Sequence, residues 1–245
     1  MFRALPTYLQ GVSAVAALLT IWFTANGLFQ IIRKPTELFF PVSGVLYKTP
    51  LETWDEYAPL FERHSTRVIR PELLAALAQV EGSGNPIVRT YWRWSLSADP
   101  FDVYRPASSA VGMYQITDGT FEEARRYCVH DHVVVEDGPW HAWRSCWLNV
   151  LYSRVVPSHA VEMTAAYLDR QATRILTRRN RTNATAQQRQ NLAAVIHLCG
   201  AGGGDAYARR GFVLQPGQRC GTHVVADYVL KVNRAAVAFG AFADD

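Results

Sequence analysis

The stretch that most constrains this chain comes first. From Ala4 through Ile32 no residue is charged, and the centre reads GVSAVAALLTIWFTANGLFQII. About 20 predominantly apolar residues cross the hydrocarbon layer of a bilayer, so the segment suffices for one transmembrane helix. Arg3 precedes it, and Arg33 and Lys34 follow. Basic residues on both flanks leave its orientation open by charge counting. A cleaved signal peptide is the competing reading. Its apolar region is ordinarily shorter, and no small-x-small cleavage site follows here, which favours an uncleaved anchor over residues 1–35.

The remaining residues can bury a full core, since the 245-residue chain is 49% hydrophobic. One domain plus appendages is therefore expected. Residues 36–66 read as a stalk or linker: KPTELFFPVSGVLYKTPLETW is punctuated by proline, and WDEYAPLFERHSTR forms a short helix leading in. The domain proper is assigned to 67–245. The formal net charge of +4 is mild. Much of it sits in DRQATRILTRRNRTNATAQQRQ, which reads as a solvated face, and no nucleic-acid-binding motif accompanies it.

Four segments carry helical periodicity: Ala142–Pro157, Ser158–Leu176, Ala186–Gly200 and Val224–Phe239. The third stops at the glycine run GAGGG. In GTFEEARRYC, Thr120 with Glu123 three residues later makes a capping box. Strand signals are scarce and no internal repeat is visible, so the fold class is mainly α.

Cys128, Cys146, Cys199 and Cys220 form two sequence-local pairs. In an exported domain this favours disulfides, most simply Cys128–Cys146 and Cys199–Cys220. Free buried thiols are a second reading. Metal binding is a third, because His197, Cys199, Cys220 and His223, or Cys128, His130 and His132, have zinc-like local spacing without a compact paired motif.

The most informative helix is PELLAALAQVEGSGNP, Pro71 to Pro86. Pro71 suits a first turn and Glu72 favours the positive helix end. Leu74, Leu77 and Val80/Glu81 then recur at helical spacing, and Gly82, Gly84 and Pro86 end the helix. Glu81 thus lies in or beside an apolar seam, at a helix end, next to an open loop. A carboxylate so placed can hold a proton and still reach a substrate.

Some thirty residues on comes SSAVGMYQITDGTF, Ser108 to Phe121, then NLAAVIHLCGAGGG and ADYVLKVNR. With PELLAALAQVEGSGNP these resemble, in order, the four motifs of the soluble lytic transglycosylase family. Those are a helix ending in Glu-Ser, a Gly-Leu-Met-Gln segment, an Ala-Ala-Tyr-Asn-Ala-Gly helix end and a closing Tyr-Val segment. The chain departs from the pattern at named places. Gly82 replaces the serine, with Ser83 one position later; Met113 and Tyr114 replace Leu-Met; Cys199 and Gly200 stand for Tyr-Asn.

The resemblance implies a lysozyme-like helical domain that cleaves bacterial peptidoglycan between N-acetylmuramic acid and N-acetylglucosamine. It implies Glu81 as the single general acid and base, closing the muramic C6 hydroxyl onto C1 to give a 1,6-anhydro end. Ser83, Gly112, Met113, Tyr114, Gln115 and Tyr228 would bind substrate, with Tyr228 also bonded to Glu81. No cofactor or metal is expected. The partners would be glycan strands, the inner membrane and a candidate envelope-spanning machine, with the domain in the periplasm. The insert RTYWRWSLSADPFDVYRP places Trp92 and Trp94 on one face if extended, where they would roof the glycan cleft or instead plug the core or the membrane-proximal surface. A hydrolytic muramidase using Asp99 or Asp102 to position water, and a non-catalytic glycan-binding scaffold, are the rival readings.

Overall fold

The structure is a computed structural model, and it describes residues 6–139, 141–142 and 145–243. Arg3 and part of the expected Ala142–Pro157 helix lie outside the described residues. The chain is mainly helical. Helix α1 (Thr7–Arg33) is long and apolar enough to cross a membrane, and a four-residue α2 (Phe40–Ser43) follows it.

Helix α3 (Pro50–His64) begins at a capping box. The Thr49 hydroxyl accepts from the Glu52 amide at 3.3 Å, and the Glu52 carboxylate accepts from the Thr49 amide at 2.7 Å. Trp54, Tyr57 and Phe61, at helical spacing, are buried in the main core. The structure therefore corrects the linker assignment of 36–66. Apolar side chains every three or four residues draw residues 50–64 into the domain.

Helix α4 (Pro71–Gly82) sits at the centre of that core. Leu73 through Ala78 are all at most 2% exposed. An amphipathic seam would leave one side wet; here alanines let α3, α8 and α6 close around the helix. Its last turn is capped by Ser83, in the left-handed conformation at φ 48°.

Helix α5 (Asp118–Ala124) starts earlier than expected, with Thr117 rather than Thr120 in the cap position. Arg154 fixes the approach: its guanidinium donates to the Ser109 and Ile116 carbonyls at 3.0 and 2.9 Å and pairs with Asp118 at 2.8 Å. Glu123, released from any capping box, accepts instead from Gln171.

Strands do occur, as three antiparallel hairpins: β1 (Trp92–Trp94) with β2 (Tyr104–Pro106), β3 (Tyr127–His130) with β4 (Val133–Glu136), and β5 (Arg219–Cys220) with β6 (His223–Val224). The β3–β4 turn holds Asp131 and His132 both at positive φ. Such a turn is usually announced by Asn-Gly or Asp-Gly, and Asp-His hides it.

The expected helix at 142–157 is reduced to a single 3-10 turn, Trp147–Leu151. Cys146 is bonded to Cys128 on β3, and the Asn149 amide donates to the Tyr127 carbonyl at 2.8 Å. Those two ties hold the segment along the hairpin and leave no room to coil.

Helices α6 (Pro157–Arg178), α7 (Ala186–Arg209) and α8 (Val225–Ala243) complete the fold. Helix α7 breaks at Gly200 as expected, but helix resumes through the glycine run instead of ending there. Both expected cysteine pairs are disulfides: Cys128–Cys146 at 2.07 Å and Cys199–Cys220 at 2.01 Å. The second ties the end of the first half of α7 to β5. The thiol and metal readings of these cysteines are thereby replaced.

The N-terminal helix is locked to the domain. Asn26 and Gln30 are buried and donate to the Tyr104 and Phe101 carbonyls at 2.7 and 2.6 Å. Beyond its end, Glu37 accepts from Arg89 and from the Trp92 indole, each at 2.9 Å, and meets Lys34 at 3.3 Å.

A candidate active site at the end of helix α4

Four elements converge on the Glu81 carboxylate, which is 18% exposed. From α8, the Tyr228 phenol donates to Glu81 Oε1 at 2.5 Å. Burial, with the Glu81 charge beside it, holds that phenol well above its usual pKa, so it stays a donor. From α7, His197 Nε2 stands 3.7 Å from the same oxygen. Burial lowers the imidazole pKa below its ordinary value, against the opposing pull of Glu81 and of a hydrogen bond to the Tyr114 carbonyl. Both neighbours address Oε1, and among the described residues Oε2 has no hydrogen-bond partner.

The fourth element is the 110–117 loop. Gly82, directly after the carboxylate, lies against it so closely that an added Cβ would stand 2.8 Å from the Met113 Cα and 2.9 Å from its carbonyl oxygen. This gives a physical reason for glycine where the family pattern has serine: there is no space for a side chain. Gly112, at φ 77°, would push a Cβ to 2.2 Å from the Arg154 carbonyl oxygen. Both positions are set by backbone approaching backbone.

Several expected substrate contacts fall elsewhere. Met113 and Tyr114 are fully buried, and the Tyr114 hydroxyl donates to the Leu74 carbonyl at 3.1 Å. Their side chains serve the core and cannot meet a glycan. The Gln115 amide donates to the Gly112 and Val88 carbonyls at 3.0 and 3.3 Å, bracing the loop while the residue lines a cavity. Ser83 lines neither of the cavities at this site; its carbonyl accepts from the Lys48 amide at 2.9 Å. Cys199, at the Tyr position of the third motif, is spent on the disulfide to Cys220.

Trp92 and Trp94 do share a hairpin face, but that face packs on α1 and not on the Glu81 cleft. Trp94 stacks on Trp22 with ring centroids 6.2 Å apart, and the Trp92 indole is bonded to Glu37. Asp102 pairs with Arg33 and Arg105, at 3.2 and 3.3 Å, and Asp99 caps its own turn through the Phe101 amide. Neither aspartate is placed to serve Glu81.

One cavity adjoins the carboxylate and a second adjoins His197 beside it. The first, of about 320 Å³, is lined by Glu81, His223, Asp227, Tyr228 and Lys231. The other, of about 240 Å³, begins at His197 and runs past Gln115, Thr117, Thr120, Thr164 and Tyr167. His197, Asp227 and Lys231 are residues that motif reading passed over as members of the site. Asp227 and Lys231 were accessible from periodicity, since they flank Tyr228 on one face of α8. His197 was visible as the one polar side chain in LAAVIHL. Among the described residues no group of three or more metal-ligating side chains is assembled.

Two outcomes follow from this geometry. Gly82→Ser should destabilise the fold by about 1–3 kcal/mol, because the Met113 backbone cannot retreat; an unchanged denaturation midpoint would contradict the close approach. The lowered pKa of buried His197 has a definite sign. The unfolded chain takes up that proton near about pH 6.5 and the folded chain only at lower pH, so stability falls as pH drops below about 6.5. Denaturation midpoints between about pH 7 and 5 should fall less steeply in His197→Gln, the most one histidine can contribute being about 1.4 kcal/mol per pH unit.

Neither protein-family models nor curated proteins nor solved structures give a match to this chain.

Proposed function

We propose that the chain is a membrane-anchored lytic transglycosylase whose helical domain is of the lysozyme-like type. The observation that carries this reading is Glu81 itself. A half-buried carboxyl group at a helix end lines one cavity and, across His197, neighbours a second, with one oxygen held by Tyr228 and the other open. The segments that gather around it are the four that resemble the family motifs, in their order along the chain.

In this reading a glycan strand lies across Glu81 from one cavity to the other. The free Oε2 protonates the glycosidic oxygen as the C1–O bond breaks. Positive character on C1 is relieved by the substrate's own N-acetyl group. The carboxylate then takes the proton of the muramic C6 hydroxyl, whose oxygen closes on C1. One carboxyl group performs both transfers, unlike the paired carboxylates of most glycoside hydrolases. Tyr228 fixes the rotamer and holds Oε1 throughout. Neutral His197 adds no charge that would compete for the proton. Thr117 and Thr120 offer hydroxyls for sugar recognition on the His197 side.

The two disulfides suit an oxidising compartment, which agrees with a domain held outside the cytoplasm by α1. One observation favours a second reading, a hydrolytic muramidase: Asp227 shares the Glu81 cavity and is a carboxylate able to activate water.

Mass spectrometry of digested peptidoglycan separates the two. Anhydromuramic ends are expected, with the rate reduced about 10²–10⁴-fold in Glu81→Gln. Reducing muramic ends lost in Asp227→Asn would establish hydrolysis, and digestion indifferent to Glu81→Gln would leave only glycan binding.

A further inference from the structure

The Trp92–Pro106 hairpin takes no part in the chemistry at Glu81, yet it is built with two distinct faces. Strand alternation places Trp92, Trp94 and Tyr104 on one face and Arg93 and Arg105 on the other. The aromatic face lies along α1. Trp94 stacks on Trp22, and both Trp94 and Tyr104 meet the edge of Phe23, each with centroids 6.2 Å apart. The outer edge is apolar and open to solvent: Trp94 is 63% exposed and Leu96 is completely exposed.

The position along α1 gives this meaning. Below the hairpin, Tyr8, Val12, Val15, Leu18 and Ile21 are all exposed. About 20 helical residues span the hydrocarbon layer. Counted from Thr7, that length ends near Asn26, where the first buried polar side chain of α1 meets the hairpin backbone. The hydrocarbon boundary therefore falls at the level of Trp22, Trp94 and Tyr104, the residue types that settle at membrane–water interfaces.

The arginines lie beside that level. Arg93 and Arg105 are direct cross-strand partners, a like-charge pairing that costs stability by itself. With Arg33 they line a cavity of about 280 Å³ that also includes Gln30, Ser108 and Ser109. Asp102 pairs with Arg33 and Arg105, while Arg93 has no ion pair among the described residues. Asp118 also borders the cavity, but Arg154 neutralises it at 2.8 Å. Three guanidinium groups against the single carboxylate of Asp102 leave an excess of positive charge, and guanidinium forks suit phosphate oxygens.

We infer that the hairpin is a membrane-interface element in which Arg33, Arg93 and Arg105 hold the phosphate of an anionic phospholipid while Trp94 and Tyr104 sit in the interfacial layer. A soluble anion would leave Trp94 and Leu96 in water; a lipid headgroup covers both features at once. Together with α1 this second attachment fixes the tilt of the domain on the bilayer. The inference is independent of what Glu81 does.

The test uses the full chain in vesicles of dibrominated phosphatidylcholine mixed with phosphatidylglycerol. Bromine should quench Trp94, so the quenchable part of the tryptophan emission should fall in Trp94→Phe. Native mass spectrometry of the chain with retained lipid should show the phosphatidylglycerol to phosphatidylcholine ratio falling about fivefold in Arg93→Gln, and further in Arg93→Gln/Arg105→Gln. Arg93 has no partner to lose, so that single variant separates headgroup binding from damage to the hairpin. Added inorganic phosphate should leave the ratio unchanged. Emission from Trp94 that bromine does not reach, a ratio unaltered by Arg93→Gln, or displacement of the lipid by phosphate would each overturn the inference.

Discussion

The hydrogen bond from Tyr228 to Glu81, 2.5 Å long, is the contact around which the candidate site is arranged. Helix α4 is enclosed by α3, α6 and α8, and its last turn must still carry a carboxylate. Burying such a group without a partner is costly, and the phenol supplies one. To bring Tyr228 there, α8 must start at a fixed place. The β5–β6 hairpin, tied to α7 by Cys199–Cys220, sets that start. The same tie keeps the His197 turn of α7 beside the carboxylate. Gly82 lets the 110–117 loop approach from the remaining side. Each element is placed by packing or covalent constraint, and the unclaimed oxygen of Glu81 is the result.

A second group of charges works where α1 meets the domain. Glu37 is 4% exposed and is held by Arg89, the Trp92 indole and Lys34. Buried charges persist only where partners surround them. Because those partners come from the end of α1 and from the start of the hairpin segment, the apolar helix is continuous with the domain instead of dangling from a flexible stalk. Burial of Asn26 and Gln30 by the same hairpin makes the last turns of α1 part of the folded structure.

Much of the frame was legible because its signals are local. The apolar run gave α1, Pro71 placed the start of α4, and cysteine spacing gave both disulfides. Glu81 and Tyr228 were found through ordered motifs and do meet. What sequence could not supply was direction. Met113 and Tyr114 sit next to Gly112 in a motif that suggests substrate contact, yet both side chains turn inward, because the loop itself closes the core. Trp92 and Trp94 were read correctly as sharing a face, but the surface opposite that face, α1, is some seventy positions away in the chain. Residues 54–67 read as a short helix leading in; the helix starts earlier, at Pro50, and Trp54, Tyr57 and Phe61 carry it into the core. His197 stood out only as a metal candidate beside Cys199; the crossing of α7 over the end of α4 sets it against the Glu81 carboxylate instead.

The account rests on Tyr228 and Glu81 stabilising one another across α4 and α8. A double-mutant cycle on unfolding free energy, with Glu81→Ala, Tyr228→Phe and the double variant, measures that directly. A coupling of about 1 kcal/mol is expected for a buried side-chain hydrogen bond. Additive single effects would mean that the two side chains do not depend on each other, and the site as described would not stand.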